Sequence, residues 1–178
     1  MVGELKPSLI FMLSLMITSC WTMPVNTEGS GQLSEREIRQ ELLDDGWFIA
    51  GPDYAYKLTR TQISWGIGRR ECKNMGGDLA VFGVRDNTLR WKIGQSLYKG
   101  PVWIGLWVGL NDRKVDSEWR WTDGSLAIEN EILWSPQEPN GDSRENCGEM
   151  WGEDRRFTIN DAQCRFRRYA LCERKIVW

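Results

Sequence analysis

The sequence predicts one α+β domain that follows an N-terminal leader. The chain has 178 residues, and its 41% hydrophobic and 27% charged content is typical of a folded domain. Two helical patterns in the first half precede several short strand patterns in the second half, an order that indicates α+β architecture. Four of the five cysteines lie in the predicted domain, after the leader, which favours two disulfides formed in an oxidising compartment.

Charge and composition exclude several functional classes. The 23 basic and 25 acidic residues give a net charge of −2, whereas a nucleic-acid-binding domain usually has a basic surface, so no nucleic-acid partner is expected. The chain has no histidine, which excludes Ser-His-Asp and Cys-His catalysis and zinc sites that use histidine. Its 11 tryptophans indicate a dense core, an exposed aromatic surface, or both.

Residues 1–22 are predicted to be a secretory signal peptide. The apolar run Leu9–Ile17 follows Lys6 and has about half of the ~20 residues that a membrane-spanning helix needs. A short signal-anchor is the alternative, because Glu4 offsets the charge of Lys6. With no second long apolar stretch, no membrane anchor is predicted, and the protein is expected to be secreted and extracellular.

Residues 23–45 are predicted to be a linker and a short amphipathic helix. The linker is polar and rich in Gly and Ser. Ser34 and Glu37 match a capping box, and Ile38 and Leu42 lie on one face of the helix. A fragment of an oligomerising coiled coil is the alternative, but coiled coils need sustained heptads. A single helix packed near the domain is therefore favoured, and oligomerisation is only weakly indicated.

The main domain is predicted over residues 46–178 and begins with two strands and two helices. Leu89, Ile93 and Leu97 recur every fourth residue, which places them on one face of the second helix, and Asp86 is its expected cap. The elements in order are a strand at Tyr54–Leu58, a helix from Thr61 or Ser64 to Met75, a strand at Leu79–Phe82, and the helix capped by Asp86.

The second half of the domain is predicted to be short strands around one long polar loop. A loop as long as residues 134–144 inside a compact domain is usually functional or disordered. The predicted strands are Val102–Val108, Trp119–Trp121, Cys147–Trp151, Arg156–Ile159 and Tyr169–Arg174.

Oxygen-bearing side chains are concentrated in this loop and in the segment that follows it. Calcium prefers about six to eight oxygen ligands from carboxylates, amide carbonyls and water. Converging carboxylates would repel one another unless a cation lay between them, so the pattern predicts a calcium site; a solvated acidic loop is the alternative. The residues are Glu138, Asn140, Glu145, Asn146, Asn160 and Asp161.

Five motifs, taken in order, resemble those of the C-type lectin carbohydrate-recognition domain. They are Gly76–Ala80, the W-I-G-L of Trp103–Leu106, the W-x-W-x-D-G of Trp119–Gly124, the E-P-N of Glu138–Asn140, and the spacing of Cys147, Cys164 and Cys172. The resemblance covers about residues 46–174. It implies two helices, two small antiparallel sheets, a long calcium-binding loop, and the disulfides Cys72–Cys172 and Cys147–Cys164. No N-terminal cysteine pair occurs near Trp47, which makes this a short form of the domain.

The resemblance also implies which residues bind calcium and sugar. Pro139 would follow a cis peptide bond that directs the side chains on either side of it towards one ion. The family's W-N-D is Ile159–Asp161 here, so the ligands remain while a supporting ring is lost. The principal site, for calcium and sugar alike, is Glu138, Asn140, Glu145, Asn160 and Asp161.

A second calcium site is implied at Asp112, Asp116, Glu145 and Asn146. Gly141 stands where the family has a side-chain ligand of that site, and Asn146 replaces an acid, so poor occupancy is expected. The alternative is that Asp112 and Asp116 only keep their loop soluble.

The expected function is calcium-dependent carbohydrate binding by a secreted lectin, in innate recognition of pathogens or of cell-surface glycans. The order Glu-Pro-Asn resembles family members that prefer mannose, N-acetylglucosamine or fucose, whose relevant vicinal hydroxyls are equatorial. No enzymatic activity is expected, because carboxylates that hold calcium are poor proton donors. The alternative is a domain of the same fold that binds a protein or mineral surface without sugar. A basic face for such a partner would be Arg155, Arg156, Arg165, Arg167 and Arg168.

Overall fold

The structure is a computed structural model that describes residues 32–99, 105–152 and 156–177. The predicted signal peptide, most of the linker, Trp103, Ile104 and Arg155 lie outside the described residues. Within the described residues, no helix is long and apolar enough to cross a membrane.

Four α-helices occur in the described part of the chain: α1 at Glu35–Asp44, α2 at Trp65–Asn74, α3 at Phe82–Arg85 and α4 at Asn87–Leu97. A capping box starts α1, since Ser34 Oγ accepts a hydrogen bond from Glu37 N and the Glu37 carboxylate accepts one from Ser34 N at 2.8 Å. Leu42 of α1 is buried in the same apolar cluster as Trp47. The helix therefore packs against the domain through its apolar face.

The two helices predicted inside the main domain are confirmed as α2 and α4. Ser64 is the N-cap of α2, and Gly76 at φ +80° follows its last turn. The Asp86 carboxylate caps α4 by accepting a hydrogen bond from Leu89 N at 2.8 Å. Ser64 makes no side-chain capping bond, but the Asp86 cap and the left-handed Gly76 are both local features, which is why the sequence pattern locates these helix ends well.

The strand predicted at Leu79–Phe82 is wrong in extent. A short strand, β3, spans Asp78–Leu79, and α3 begins at Phe82. The Glu173 carboxylate accepts hydrogen bonds from Phe82 N at 3.1 Å and Gly83 N at 2.7 Å. This distant residue binds the free amides at the start of α3 and so ends the extended segment.

Two groups of antiparallel strands meet at the C-terminal strand. The first group pairs β1 with β2, and both β2 and β3 with β8; the second pairs β5 and β6 with β4, and β7 with β6. A short parallel pairing, Leu106 with Tyr169 and Trp107 with Ala170, joins β4 to β8. The remaining strands are β1 at Phe48–Ile49, β2 at Tyr54–Leu58, β4 at Leu106–Asn111, β5 at Arg120–Trp121, β6 at Cys147–Met150, β7 at Ile159–Ala162 and β8 at Tyr169–Lys175.

The strand predicted at Arg156–Ile159 lies further along the chain. Phe157 has φ +55°, a left-handed conformation that a strand cannot contain, and β7 begins only at Ile159. Asn and Asp are disfavoured in strands, yet Asn160 pairs with Glu149 and Asp161 with Gly148 of β6. Pairing with β6 overrides this propensity and places Asn160 and Asp161 on a sheet.

Both predicted disulfides are confirmed. Cys72–Cys172 joins α2 to β8, and Cys147–Cys164 joins β6 to the segment after β7. Tryptophans fill the core between these elements: Trp65 Nε1 donates to Val108 O and Trp107 Nε1 to Ile63 O, both at 2.8 Å. The buried rings thus keep their polar atoms bonded while they pack α2 against β4.

Candidate functional site

The long loop before β6 is fastened to β7 by its E-P-N segment. The Asp161 carboxylate, which is 1% exposed, accepts hydrogen bonds from Asn140 N at 3.1 Å and Gly141 N at 3.0 Å. The peptide bond between Glu138 and Pro139 is cis. The loop that carries Glu138 and Asn140 is therefore held directly above the strand that carries Asp161.

Asn160 is oriented by a buried carboxylate on the neighbouring strand. Glu149 is 1% exposed and accepts hydrogen bonds from Trp151 Nε1 at 2.7 Å, Asn160 Nδ2 at 3.1 Å and Arg168 Nε at 2.6 Å. Asn160 Nδ2 also donates to the carbonyl of Asp161. Because the amide is planar, this places Asn160 Oδ1 on the side away from Glu149, where it can act as a ligand.

Glu149 is a residue that the sequence interpretation missed. Its place in the middle of the predicted strand Cys147–Trp151, near a cysteine expected to form a disulfide, is the signal that could have identified it, since acidic residues are rarely buried unless paired.

Two other carboxylates keep an oxygen that has no protein partner. Glu138 Oε2 and Asp112 Oδ1 are buried and accept no hydrogen bond. Burial and the neighbouring carboxylates of Asp161 and Glu145 raise the pKa of Glu138 to about 7. Burial, followed by the charge of Asp161, also raises the pKa of Glu145. Negative charge is thus concentrated at one place with too few donors to balance it.

The chemistry of this set fits a hard cation. As the side chains stand, no group of three or more His, Cys, Asp or Glu among the described residues is arranged to hold a metal ion. All five candidate ligands nevertheless offer carboxylate or amide oxygens, the donors that calcium prefers. When several carboxylates face one another, an oxygen is left without a hydrogen-bond donor and the pKa rises, as Glu138 shows at Oε2. A cation between the carboxylates would bind that oxygen and lower the pKa again.

Two of the residues implied for a second calcium site, Asp112 and Asp116, line one small cavity. Asp112 is 4% exposed, and its Oδ2 accepts a hydrogen bond from Ser117 N at 2.8 Å while its Oδ1 has no partner. A cavity of about 80 Å³ brings Asp112 and Asp116 together with Asp142 and Asp161. Asp142 directly follows Gly141, the position at which the sequence lacks the family ligand, and sequence interpretation did not single it out.

Glu145 and Asn146, the other predicted members of that second site, do not line the cavity. Glu145 packs against Gly141, where an added Cβ would lie 2.2 Å from Glu145 Cβ. Asn146 lines a separate depression with Gln163. Glycine is therefore needed at position 141, because a side chain there would clash with Glu145.

The family model for the Lectin C-type domain matches residues 61–174. The chain belongs to the C-type lectin domain family. It is 32% identical over 125 residues to "C-type mannose receptor 2" of Mus musculus, an alignment that covers 68% of this chain and 8% of the receptor. The chain thus spans a small fraction of that relative's length.

Solved structures share the fold of this C-type lectin domain. The C-type lectin domain of murine dendritic cell inhibitory receptor 2, solved in complex with N-glycan, has a TM-score of 0.60 at 23% identity, over 73% of this chain and 96% of that one. A calcium-independent type II antifreeze protein has a TM-score of 0.62 at 23% identity, over 74% of this chain and 93% of that one. At such identities, these likenesses show the fold alone.

Three of the five arginines considered as a basic face have different surroundings in this lectin domain. Arg168 is committed to the buried Glu149. Arg165 and Arg167 are exposed on the turn between β7 and β8, whereas Arg155 lies outside the described residues. An exposed basic face would thus include Arg165 and Arg167 but not Arg168.

Proposed function

We propose that this domain is a calcium-dependent lectin for mannose-type glycans. The proposed ligands of both ion and sugar are Glu138, Asn140, Glu145, Asn160 and Asp161. The observation that carries the proposal is Glu138, whose Oε2 has no partner and whose pKa is raised to about 7 beside two other carboxylates. A purely structural carboxylate would be expected to have its hydrogen bonds satisfied, as Glu149 has.

Each residue has a definable part in sugar binding. When bound, calcium supplies coordination positions for two neighbouring sugar hydroxyls. Glu138 offers only acceptors and accepts a hydrogen bond from a sugar hydroxyl, whereas the exposed Asn140 offers an NH₂ donor. Asn160 Nδ2 is already engaged by Glu149 and by the Asp161 carbonyl, so Asn140 is the amide that donates to sugar. No covalent bond is broken, and the proposed activity is therefore binding and not catalysis.

The names of similar proteins support the choice of ligand class. One relative is a mannose receptor, and one solved neighbour is an N-glycan complex. Because Asn140 is exposed and Glu138 and Glu145 are only half-buried, the proposed site is shallow, and a single site should bind weakly. Useful avidity then requires several sites on one surface or assembly. Secretion remains part of the proposal, since it depends on the predicted signal peptide.

A mannose affinity column tests the proposal. The full chain should be retained in calcium and released by a chelator or by free mannose. Asn140→Ala should pass through the column, because it removes a ligand and the amide donor together, while Asn74→Ala, at another exposed asparagine, should be retained. Passage of the wild type in calcium, or its retention in chelator, would contradict the proposal.

Calcium-independent binding of a different ligand is the second candidate function. The observation in its favour is the fold shared with a calcium-independent antifreeze protein. Under this alternative, calcium would leave the melting temperature unchanged, and the protein would not be retained on mannose.

A further inference from the structure

A depression of about 360 Å³ beside the candidate site has a distinctive chemistry. The residues around it carry two guanidinium groups, two side-chain amides and one disulfide sulfur, and none of them is acidic. Guanidinium groups are pure donors, and the amides can present their NH₂ groups. Such a lining favours a ligand rich in acceptors. The lining residues are Arg144, Asn146, Gln163, Cys164 and Arg165.

The depression adjoins the proposed sugar site through Glu145. Gln163 forms a hydrogen bond with the Glu145 carboxylate, and the positive charge of Arg144 acts on the same group. Asn146 directly follows Glu145, and the pairing of Cys147 with Ala162 brings Asn146 close to Gln163. A sugar held by Glu145 would thus have the depression at its side.

Both guanidinium groups are available to a ligand. The side chain of Arg144 is 77% exposed, and its ion pair with the equally exposed Asp142 is at 4.0 Å. Exposed pairs of this kind contribute little, so Arg144 loses little by turning away from Asp142. Arg165 is also exposed, in contrast to Arg168, whose Nε is held at 2.6 Å from the buried Glu149.

We propose that this depression binds a sulfate or phosphate ester carried by a glycan whose neutral part lies at the candidate site. This inference rests on the proposed function for the position of that neutral part. Guanidinium groups bind oxyanions with paired, charge-assisted hydrogen bonds. Two guanidinium groups beside two amides suit a tetrahedral ester that presents oxygens in several directions. A neutral hydroxyl would gain little from two positive charges.

Matched neutral and charged sugars test this subsite. The probes are methyl α-mannoside and mannobiose, each neutral, 6-sulfated or 6-phosphorylated, titrated in calcium by calorimetry. At least one ester should bind about tenfold or more tightly than its neutral parent at low ionic strength, since hydrogen bonds to charged groups are the stronger ones. The gain should shrink between about 50 mM and about 500 mM salt, because salt screens exposed charges.

A pair of variants with equal charge separates the subsite from the general field of the protein. Arg144→Gln combined with Arg165→Gln should remove the ester gain, while neutral mannoside should still bind in calcium. Arg60→Gln combined with Arg70→Gln, at two exposed arginines outside the depression, should retain the gain. Loss of the ester gain in both double variants, or no ester gain in the wild type, would overturn the proposed subsite.

The failure of the subsite and the failure of the proposed function give different results. If neutral mannoside binds with calcium while the esters gain nothing, the proposed function survives and the subsite does not. If the esters bind through Arg144 and Arg165 while neutral mannoside never binds, the depression is an oxyanion site and the mannose proposal is wrong. Methyl α-mannosiduronate, which has a carboxylate at position 6, serves as the carboxylate arm, and a gain for it alone would contradict the choice of a tetrahedral ester.

Discussion

Glu149 and Glu138 are two carboxylates of one small domain with opposite surroundings. Glu149 lies on β6, almost fully buried, and has donors from three side chains. Glu138 lies in the long loop, and its Oε2 has no partner while two other carboxylates crowd it. The first environment completes the hydrogen bonding of the group, and the second leaves it incomplete. The comparison teaches that satisfied charges mark the scaffold, whereas unsatisfied ones mark where an external ligand is expected.

Removing the scaffold carboxylate should have the largest effect on stability. Glu149→Ala leaves Arg168, Asn160 and Trp151 without their shared acceptor, and breaking a buried ion pair costs about 3–5 kcal/mol. Urea denaturation measures the loss in unfolding free energy. Glu35→Ala is the matched control, because its pair with Arg39 is on the surface of α1 and should contribute only about 0.3–0.5 kcal/mol. Equal losses of unfolding free energy in the two variants would contradict the expected difference between buried and surface carboxylates.

Calcium should stabilise the loop through the crowded carboxylates. A ligand that binds only the folded state adds about 2.7 kcal/mol at about a hundredfold excess over Kd. Asp161→Ala and Glu145→Ala should each abolish the calcium-dependent rise in melting temperature and the calcium-dependent retention on mannose. Asp161→Ala should also lower stability in chelator, since it deprives Asn140 N and Gly141 N of their acceptor. Glu41→Ala, in α1, should keep the full calcium response, and an intact response in either site variant would refute the ligand assignment.

The raised pKa of Glu138 predicts how stability depends on pH in a chelating buffer. The pKa of Glu138 is about 7 in the folded state and its ordinary value is 4.5, so between these two pH values the folded state binds the proton more strongly. Stability should therefore fall as pH rises from about 4.5 to about 7, and change little from this group above that range. Urea denaturation across this range measures the effect, and Glu138→Gln should reduce the slope. A wild-type slope of the opposite sign at these pH values, or an identical slope in the variant, would show that Glu138 does not carry the effect.

The comparison also explains what the sequence could and could not predict. Helix caps at Ser34 and Asp86 depend on residues a few positions away, and these were predicted correctly. The start of α3 depends on Glu173, 90 residues or more along the chain, and the Glu149 network depends on Arg168. No local pattern contains such contacts. The displaced β7 has the same origin, since its pairing with β6 overrides the weak strand propensity of Asn160 and Asp161.

In the candidate site, too, the contiguous residues can be recognised from the sequence, whereas residues brought together by the fold cannot. The E-P-N segment is contiguous, so the family pattern located it, and the cis bond at Pro139 is present in the structure. Asp142 enters the small cavity with Asp112 through the fold of the loop, where it adopts φ +48°. A left-handed aspartate leaves no recognisable mark in a single sequence, which is why this residue was found only in the structure.

A change of sugar preference is expected to be the smallest of these effects. It tests whether Glu138 determines which sugar binds, in addition to contributing negative charge at the calcium site. Glu138→Gln combined with Asn140→Asp keeps one carboxylate and one amide, so calcium binding should be roughly retained. The exchange reverses the order of acceptor and donor around the sugar, and a mismatched hydroxyl pair leaves a polar group unpaired at a cost of about 1–3 kcal/mol. Because Asn160 Nδ2 is engaged by Glu149, it cannot compensate by donating to the sugar. Preference should therefore move from mannose towards galactose, which competitive elution from both resins measures. A double variant that binds calcium and still prefers mannose as strongly as the wild type would assign selectivity to other residues.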